Sequence, residues 1–264
     1  MMRERELRPI DCEGLYRDGR HYDLVNRGQV ADIPFYLKQI KKYGGPVLEL
    51  ACGTGRITIP IAEQVVQITG LDISPSMLAH ARRKSSARGV EVEWIEADCC
   101  DFDLGMRFGL IFFPFNSIAH LQDLESIESC FACVKNHLRT EGRFIIETFQ
   151  PDLRILTRDP EKRYPVTEYP DPDGKGTVII TENNVYDSAT QVNRIKWYYR
   201  LKGETSERVE LLNMRIFYPQ ELDALFHYNG FLIEEKFGHY DERPFTSAAP
   251  KQLVVSKIAR GSGS

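Results

Sequence analysis

Val47-Leu-Glu-Leu-Ala-Cys-Gly-Thr-Gly55 is the stretch on which the reading of the whole chain turns. Pro46 punctuates its start, and Val47, Leu48 and Leu50 form a short apolar run of the kind a buried strand shows. Gly53 and Gly55 then turn the chain, and Arg56 to Glu63 continues with helical character. A strand, a tight glycine turn and a helix start make the place where an α/β sheet presents backbone N–H groups to a ligand. A Cβ at these glycines would obstruct both the turn and the approaching ligand.

The turn lacks the third glycine of the nicotinamide fingerprint, because Thr58 stands at that position. Glu49 lies inside the apolar run, where an unpaired charge is costly. Asp72 closes the next apolar segment, Ile68-Thr-Gly-Leu-Asp72, about 20 residues after the glycines, where an acid can take ribose hydroxyls. An acid in the first strand, a Gly-x-Gly turn and an acid ending the second strand suit a nucleoside whose other half is an amino acid.

On these residues the chain resembles the class I S-adenosylmethionine-dependent methyltransferases. The matching segments are Glu49-Leu-Ala-Cys-Gly-Thr-Gly55, Gly70-Leu-Asp-Ile-Ser74 with Met77 and Ala81-Arg82, and Glu96-Ala-Asp98. They cover Tyr22 to Gly142 closely and the rest in outline, and they are specific for the cofactor, S-adenosyl-L-methionine, rather than for the acceptor. The resemblance implies an α/β fold with a Rossmann-like, seven-stranded methyltransferase sheet and helices on both faces. It also implies cofactor-binding roles for Glu49, Ala51, Gly53, Gly55, Asp72, Ile73, Met77, Ala97, Asp98, Cys99 and Phe115. Glu49 would hold cofactor-facing backbone or the methionine ammonium, Asp72 both ribose hydroxyls, and Asp98 the exocyclic amine of adenine. The bland alternatives are core packing for Met77 and a solvated turn aspartate for Asp98.

Length and composition bound the rest. A chain of 264 residues allows one large α/β domain or a domain with an insertion. Its 42% hydrophobic content suits a globular protein able to bury a full core. No stretch approaches the roughly 18 apolar residues that span a bilayer, and the charged start carries no apolar signal region, so a cytoplasmic protein without membrane partners is expected. A net charge of −4 argues against a nucleic-acid acceptor, since phosphate binding wants a basic surface. The six cysteines show no paired metal spacing. Cys130-Phe-Ala-Cys133 lies in an amphipathic helical run without a second pair, so buried thiols and no metal are expected.

Along the chain, residues 1–21 and 260–264 read as flexible termini. Asp32 to Lys42 reads as a helix ending at Gly44-Gly45. Ser74 caps a further helix with Pro75 at its first position. Val90 to Ile95 reads as the third strand, Phe108 to Phe115 as a fourth, central parallel one, and Arg143 to Phe149 as the fifth. Asp123 to Leu138 carries helical periodicity. Where the minimal fold would continue to a helix, about 70 residues intervene. Tyr169 to Gly174 is a turn cluster. Thr177–Tyr186, Asn193–Leu201 and Glu207–Phe217 are three β-like runs. These predict a cofactor-binding domain over 22–150 and 218–259, with an inserted antiparallel β-sheet lid over 151–217. Glycine, sarcosine and aminosugar N-methyltransferases carry a comparable insertion. Pro219 to Asn229, closed by Gly230, is the last helix, and Phe231–Phe237 with Gln252–Ile258 the last strand pair.

The activated methyl of a sulfonium needs an acceptor lone pair held in line and water excluded. His120 is the candidate base, since neutral imidazole takes a proton near pH 7. Tyr22 and Asn116 join it as catalytic candidates. Glu147, Tyr186, Trp197, Tyr199 and Arg215 are acceptor-side candidates, with Arg215 cast as an anchor for a carboxylate and the aromatic residues as a wall favouring a cationic amine. Packing explains each of them equally well. The expected function is methyl transfer to a small-molecule acceptor, an amine nitrogen before an oxygen, by a monomer or homodimer. A lyase, a cyclase or a binder of the same cofactor is the rival. The Asn-Pro-Pro-aromatic signature of nucleic-acid amino methyltransferases is absent, since the order here is Pro114-Phe115-Asn116-Ser117.

Overall fold

A computed structural model describes residues 14–64 and 66–259. Its first elements are helix α1 (Gly19–Val25), helix α2 (Asp32–Tyr43), strand β1 (Val47–Leu50) and helix α3 (Thr58–Ala62). Then come β2 (Ile68–Asp72), α4 (Pro75–Ala87), β3 (Glu93–Glu96) and β4 (Phe108–Phe113). A single 3-10 turn, Ser117–His120, precedes α5 (Leu124–His137) and β5 (Leu138–Phe149). The short helix α6 (Leu153–Leu156) leads into β6 (Tyr164–Pro170), β7 (Thr177–Asp187), β8 (Val192–Leu201) and β9 (Arg208–Arg215). Helix α7 (Pro219–Tyr228), β10 (Phe231–Phe237) and β11 (Lys251–Ile258) complete the chain.

Seven strands form one mixed sheet in the order β10-β11-β5-β4-β1-β2-β3. The five from β3 to β5 run parallel, and β11 and β10 add antiparallel at the other end. Strands β1, β2 and β4 are buried at every position, as central strands covered on both faces must be. One core cluster packs α5 and α7 against the sheet through Phe131, Phe144, Phe226 and Phe231. The opposite face holds α2, with Tyr36 stacked on Phe112 at 4.3 Å. The strand order reverses between β1 and β4, and beyond their carboxyl ends the crevice opens.

The insertion forms a separate four-stranded antiparallel sheet, β6-β7-β8-β9. It has one strand more than the sequence pattern suggests. Tyr169 and Pro170, read there as the start of a turn, end the edge strand β6. Proline lacks the ladder N–H, which an edge strand does not need on its outer side, so Pro165 and Pro170 are tolerated. Three other boundaries differ. Strand β3 starts at Glu93, three residues after Val90, and β4 stops at Phe113 rather than Phe115. Strand β5 begins directly at Leu138, where the chain leaves the helix, five residues before the expected Arg143.

The first described residues also depart from the flexible terminus read through residue 21. Asp18 caps α1 by accepting from the Arg20 N–H. Asp23 on α1 takes the Thr54 hydroxyl at 2.6 Å and the Lys84 ammonium at 2.7 Å. On its other side α1 meets the small sheet, through His21 with the Tyr169 hydroxyl (2.8 Å) and Arg20 with Asp173 (2.8 Å). The helix thus straps the two sheets together. Residues 1–13 and 260–264 lie outside the described residues, and Cys12 with them. The five described cysteines are free thiols. Among the described residues, no helix is long and apolar enough to cross a membrane.

Candidate active site

A cavity of about 1320 Å³ lies beyond the carboxyl ends of β1, β2 and β4, roofed by α1 and the four-stranded sheet. The glycine turn forms one end. Gly53 has φ +55° and Gly55 φ +73°, the left-handed region that disfavours a side chain. Gly53 faces the cavity, whereas a Cβ on Gly55 would sit 2.6 Å from the Trp94 ring, so Gly55 serves packing. Asp72 is the organising carboxylate. One oxygen accepts from Gly53 N at 2.7 Å and the other from Ser74 N at 2.8 Å. Burial raises its pKa, and the backbone N–H bonds oppose that rise. A carboxylate has about four acceptor positions, so two remain for a ligand.

Ala51, Ile73, Met77, Ala97, Asp98 and Cys99 also line this end. Asp98 fixes its own turn by accepting from Cys100 N at 2.8 Å. Glu49 does not line the cavity. It lies on the buried strand and accepts from the Thr58 hydroxyl of α3, and burial pushes its carboxyl up to about 8. Glu49 therefore forms no part of the cavity wall, and its bond to Thr58 pins the helix start.

At the end of β4 the chain makes two consecutive left-handed residues, Phe115 (φ 53°) and Asn116 (φ 59°). Neither is glycine, so surrounding bonds must hold this turn against its intrinsic preference. Glu147 does so. Its side chain accepts from Phe115 N (3.1 Å) and its main-chain oxygen from Asn116 N (3.2 Å). The fully buried Glu147 carboxylate also takes the hydroxyls of Tyr36 and Tyr240 and the Lys251 ammonium at 2.9 Å. It lies beneath the cavity wall, so its assignment as an acceptor contact is corrected to support of the wall. Asn116 itself lines the cavity. Its Oδ1 accepts from Phe149 N and the Thr148 hydroxyl, which orients the amide.

His120, on the 3-10 turn, lines the cavity beside Tyr22. Its Nε2 lies 2.9 Å from the Tyr16 hydroxyl, and Tyr16 in turn lies 6.0 Å, ring to ring, from Tyr22. Burial drops the His120 pKa to about 4, so the ring is neutral at pH 7 and a weak base, not the base tuned to pH 7 that the sequence suggested. The same burial ties stability to pH. Unfolding restores an ordinary histidine near 6.5, so the folded state loses protection as pH falls from about 6.5 to 4. Stability is then expected to drop over that window by roughly 3 kcal/mol more in the native protein than in His120→Gln. Urea titrations at pH 7, 5.5 and 4.5 test this, and parallel curves for the two proteins would refute it.

Of the acceptor-side candidates, Trp197 and Tyr199 on β8 face the cavity. Tyr186 does not. It shares their sheet face but lies six residues beyond Ile180 on β7, about 20 Å along the strand, where its hydroxyl meets that of Tyr218 at 3.5 Å. Arg215 is also withdrawn from the cavity. Its guanidinium, 9% exposed, pairs with Glu221 at 2.6 Å and donates to the Gln122 carbonyl at 2.8 Å. It tethers β9 to the chain just after His120, and both of its terminal nitrogens are engaged there. The sequence reading missed Tyr16, Arg17 and His21, all cavity-lining. The signal was present in Leu15, Tyr16, Tyr22, Leu24 and Val25, apolar residues within a charged stretch.

Comparison with known proteins follows the same lines. Residues 47–142 match the methyltransferase-domain family. A dTDP-3-amino-3,6-dideoxy-alpha-D-glucopyranose N,N-dimethyltransferase of Streptomyces fradiae is 29% identical over 133 residues, 48% of this chain and 51% of that protein. The chain spans about half the length of the curated relatives of this kind that it matches. The CcbJ methyltransferase of Streptomyces caelestis superposes with TM-score 0.78 at 23% identity, over 88% of this chain and 91% of that one. The sugar N-methyltransferase KedS8 of a Streptoalloteichus species superposes with TM-score 0.68 at 21% identity, over 90% and 93%. Sheet order, glycine turn and crevice define a Rossmann-like methyltransferase fold. Within that fold, residues 47–142 are the part of the chain that the methyltransferase-domain family matches.

Proposed function

We propose that this protein transfers the methyl group of S-adenosyl-L-methionine to the nitrogen of a small-molecule amine. The observation that carries the reading is the single cavity joining two half-sites. One is the Gly53 turn with Asp72 and Asp98; the other is Asn116, His120, Tyr16 and Tyr22 under the four-stranded sheet. The residues of the first half fit the cofactor: Asp72 has two acceptor positions left for ribose hydroxyls, and Asp98 offers an acceptor to an adenine amino group. When bound, the cofactor supplies a methyl group already activated on a sulfonium.

The chain's own part is orientation and exclusion of water. The Phe115-Asn116 turn forms the wall at the carboxyl end of β4, where the acceptor must present its lone pair. Neutral His120 and the phenols of Tyr16 and Tyr22 offer hydrogen-bond partners to an uncharged amine. With His120 at a pKa of about 4, an amine is expected to enter neutral and release its proton to water after transfer. The four-stranded sheet acts as the lid over the acceptor. Nitrogen is favoured because two of the similar proteins are N-methylating enzymes by name.

The test is incubation with methyl-labelled cofactor and a panel of primary and secondary amines, phenols and amino acids, followed by mass analysis. Label on an amine with equimolar S-adenosylhomocysteine is expected. Label only on phenols would overturn the nitrogen assignment, and methylthioadenosine without methylated product would replace transfer by lysis.

A further inference from the structure

The cavity is too large for the cofactor alone. At about 1320 Å³ it exceeds the roughly 300–1,000 Å³ of a pocket for one drug-sized ligand. The surplus lies under the four-stranded sheet, whose inner face presents Val178, Trp197, Tyr199, Leu201 and Leu212 to it. Tyr199 and Val178 belong to a hydrophobic cluster with the fully buried Ile180. This part of the wall is aromatic and aliphatic, with charges on other lining residues.

The balance of those charges is informative. Three arginines line the cavity: Arg17, Arg200 and Arg208. Arg208 pairs with Glu210 at 2.6 Å and lies over the Tyr199 ring at 4.4 Å. Arg200 faces Glu207 at 4.0 Å. Of these three, the exposed Arg17 has no carboxylate within ion-pair distance among the described residues. The lining carboxylates Asp171 and Glu204 likewise have no cation within that distance among the described residues. Asp171 accepts from the main-chain N–H groups of Asp173 and Lys175, and Glu204 from the Ser206 hydroxyl.

We infer that the acceptor is a lipophilic amine, an aromatic or aliphatic body carrying the reacting nitrogen and bearing neither phosphate nor carboxylate. This rests on the N-methyltransferase reading above and narrows its substrate. A diphosphate needs arginine or lysine donors that are not already engaged. Here it would meet a single arginine with no carboxylate near it, the exposed Arg17, against the uncompensated carboxylates of Asp171 and Glu204, and like charges facing each other disfavour binding. An apolar body gains by burial against Trp197 and Tyr199. The chain is thereby set apart from the S. fradiae relative, whose name specifies a nucleotide-linked aminosugar.

The test compares ligands on the wild-type protein saturated with S-adenosylhomocysteine. Calorimetric titration with 3-phenylpropylamine is expected to give a dissociation constant at least about tenfold below that for thymidine 5′-diphosphate. Tyr199→Leu should weaken the amine at least about fivefold, and Trp197→Leu serves the same purpose if the first variant does not fold. Equal or tighter binding of the diphosphate, heat from neither ligand, or amine affinity unchanged in a folded Leu variant would each overturn the inference. Failure of the functional reading looks different: the amine binds as expected, yet labelled cofactor gives no methylated product and no S-adenosylhomocysteine.

Discussion

Asp72→Ala is expected to raise the dissociation constant for S-adenosylmethionine at least about tenfold, or about 1.4 kcal/mol, in isothermal calorimetry. Two effects add. A hydrogen bond to a charged group contributes about 1.5–3 kcal/mol, and the carboxylate has two acceptor positions left for the ribose. Alanine also releases Gly53 N and Ser74 N, which Asp72 now holds at 2.7 and 2.8 Å, so the glycine turn and the start of α4 lose their shared anchor. S-adenosylhomocysteine has the same ribose and should lose affinity to the same degree. A folded Asp72→Ala protein with unchanged affinity for both would remove Asp72 from the site.

The second large effect is expected at Glu147. Replacing it with leucine leaves the Lys251 ammonium, 15% exposed, without its carboxylate, and orphans the hydroxyls of Tyr36 and Tyr240 and the Phe115 N–H. Removing one partner of a buried ion pair costs about 3–5 kcal/mol. The denaturation midpoint in urea should fall accordingly. The double variant Glu147→Leu/Lys251→Met should recover part of the loss, because the unpaired charge goes with the lysine. In the folded single variant the turnover number should fall more than the affinity for cofactor, since the Phe115-Asn116 turn relaxes while Asp72 stays in place. An unchanged midpoint would show that Glu147 does not hold this wall.

These two carboxylates illustrate what the sequence made legible. The place of Asp72 in the cavity wall was readable because it follows from a local pattern: a strand end a fixed distance from a glycine turn. The seven-stranded sheet was readable for the same reason, since buried parallel strands are continuous apolar runs and helices show their own period. Glu147 was seen as a residue at a strand's carboxyl end and assigned to the acceptor. Its real partners, Tyr36, Phe115, Tyr240 and Lys251, are scattered over the chain from α2 to β11, and no local spacing announces them. Arg215 failed likewise: its type suited a carboxylate ligand, but the fold brought Glu221 and Gln122 to it first. Tyr16 was passed over because a charged segment hides apolar residues that matter only once α1 is strapped across two sheets.

By itself the sequence determined the class of fold and the wall of the cavity around the glycine turn, because both are written in contacts between residues close along the chain. The tertiary structure alone decided the rest of the wall: which aromatic residues face inward, which charges are already paired, and that His120 is half-buried with its pKa lowered by desolvation. Burial and pairing depend on elements distant in sequence meeting in space, so they are properties of the folded molecule and not of any motif.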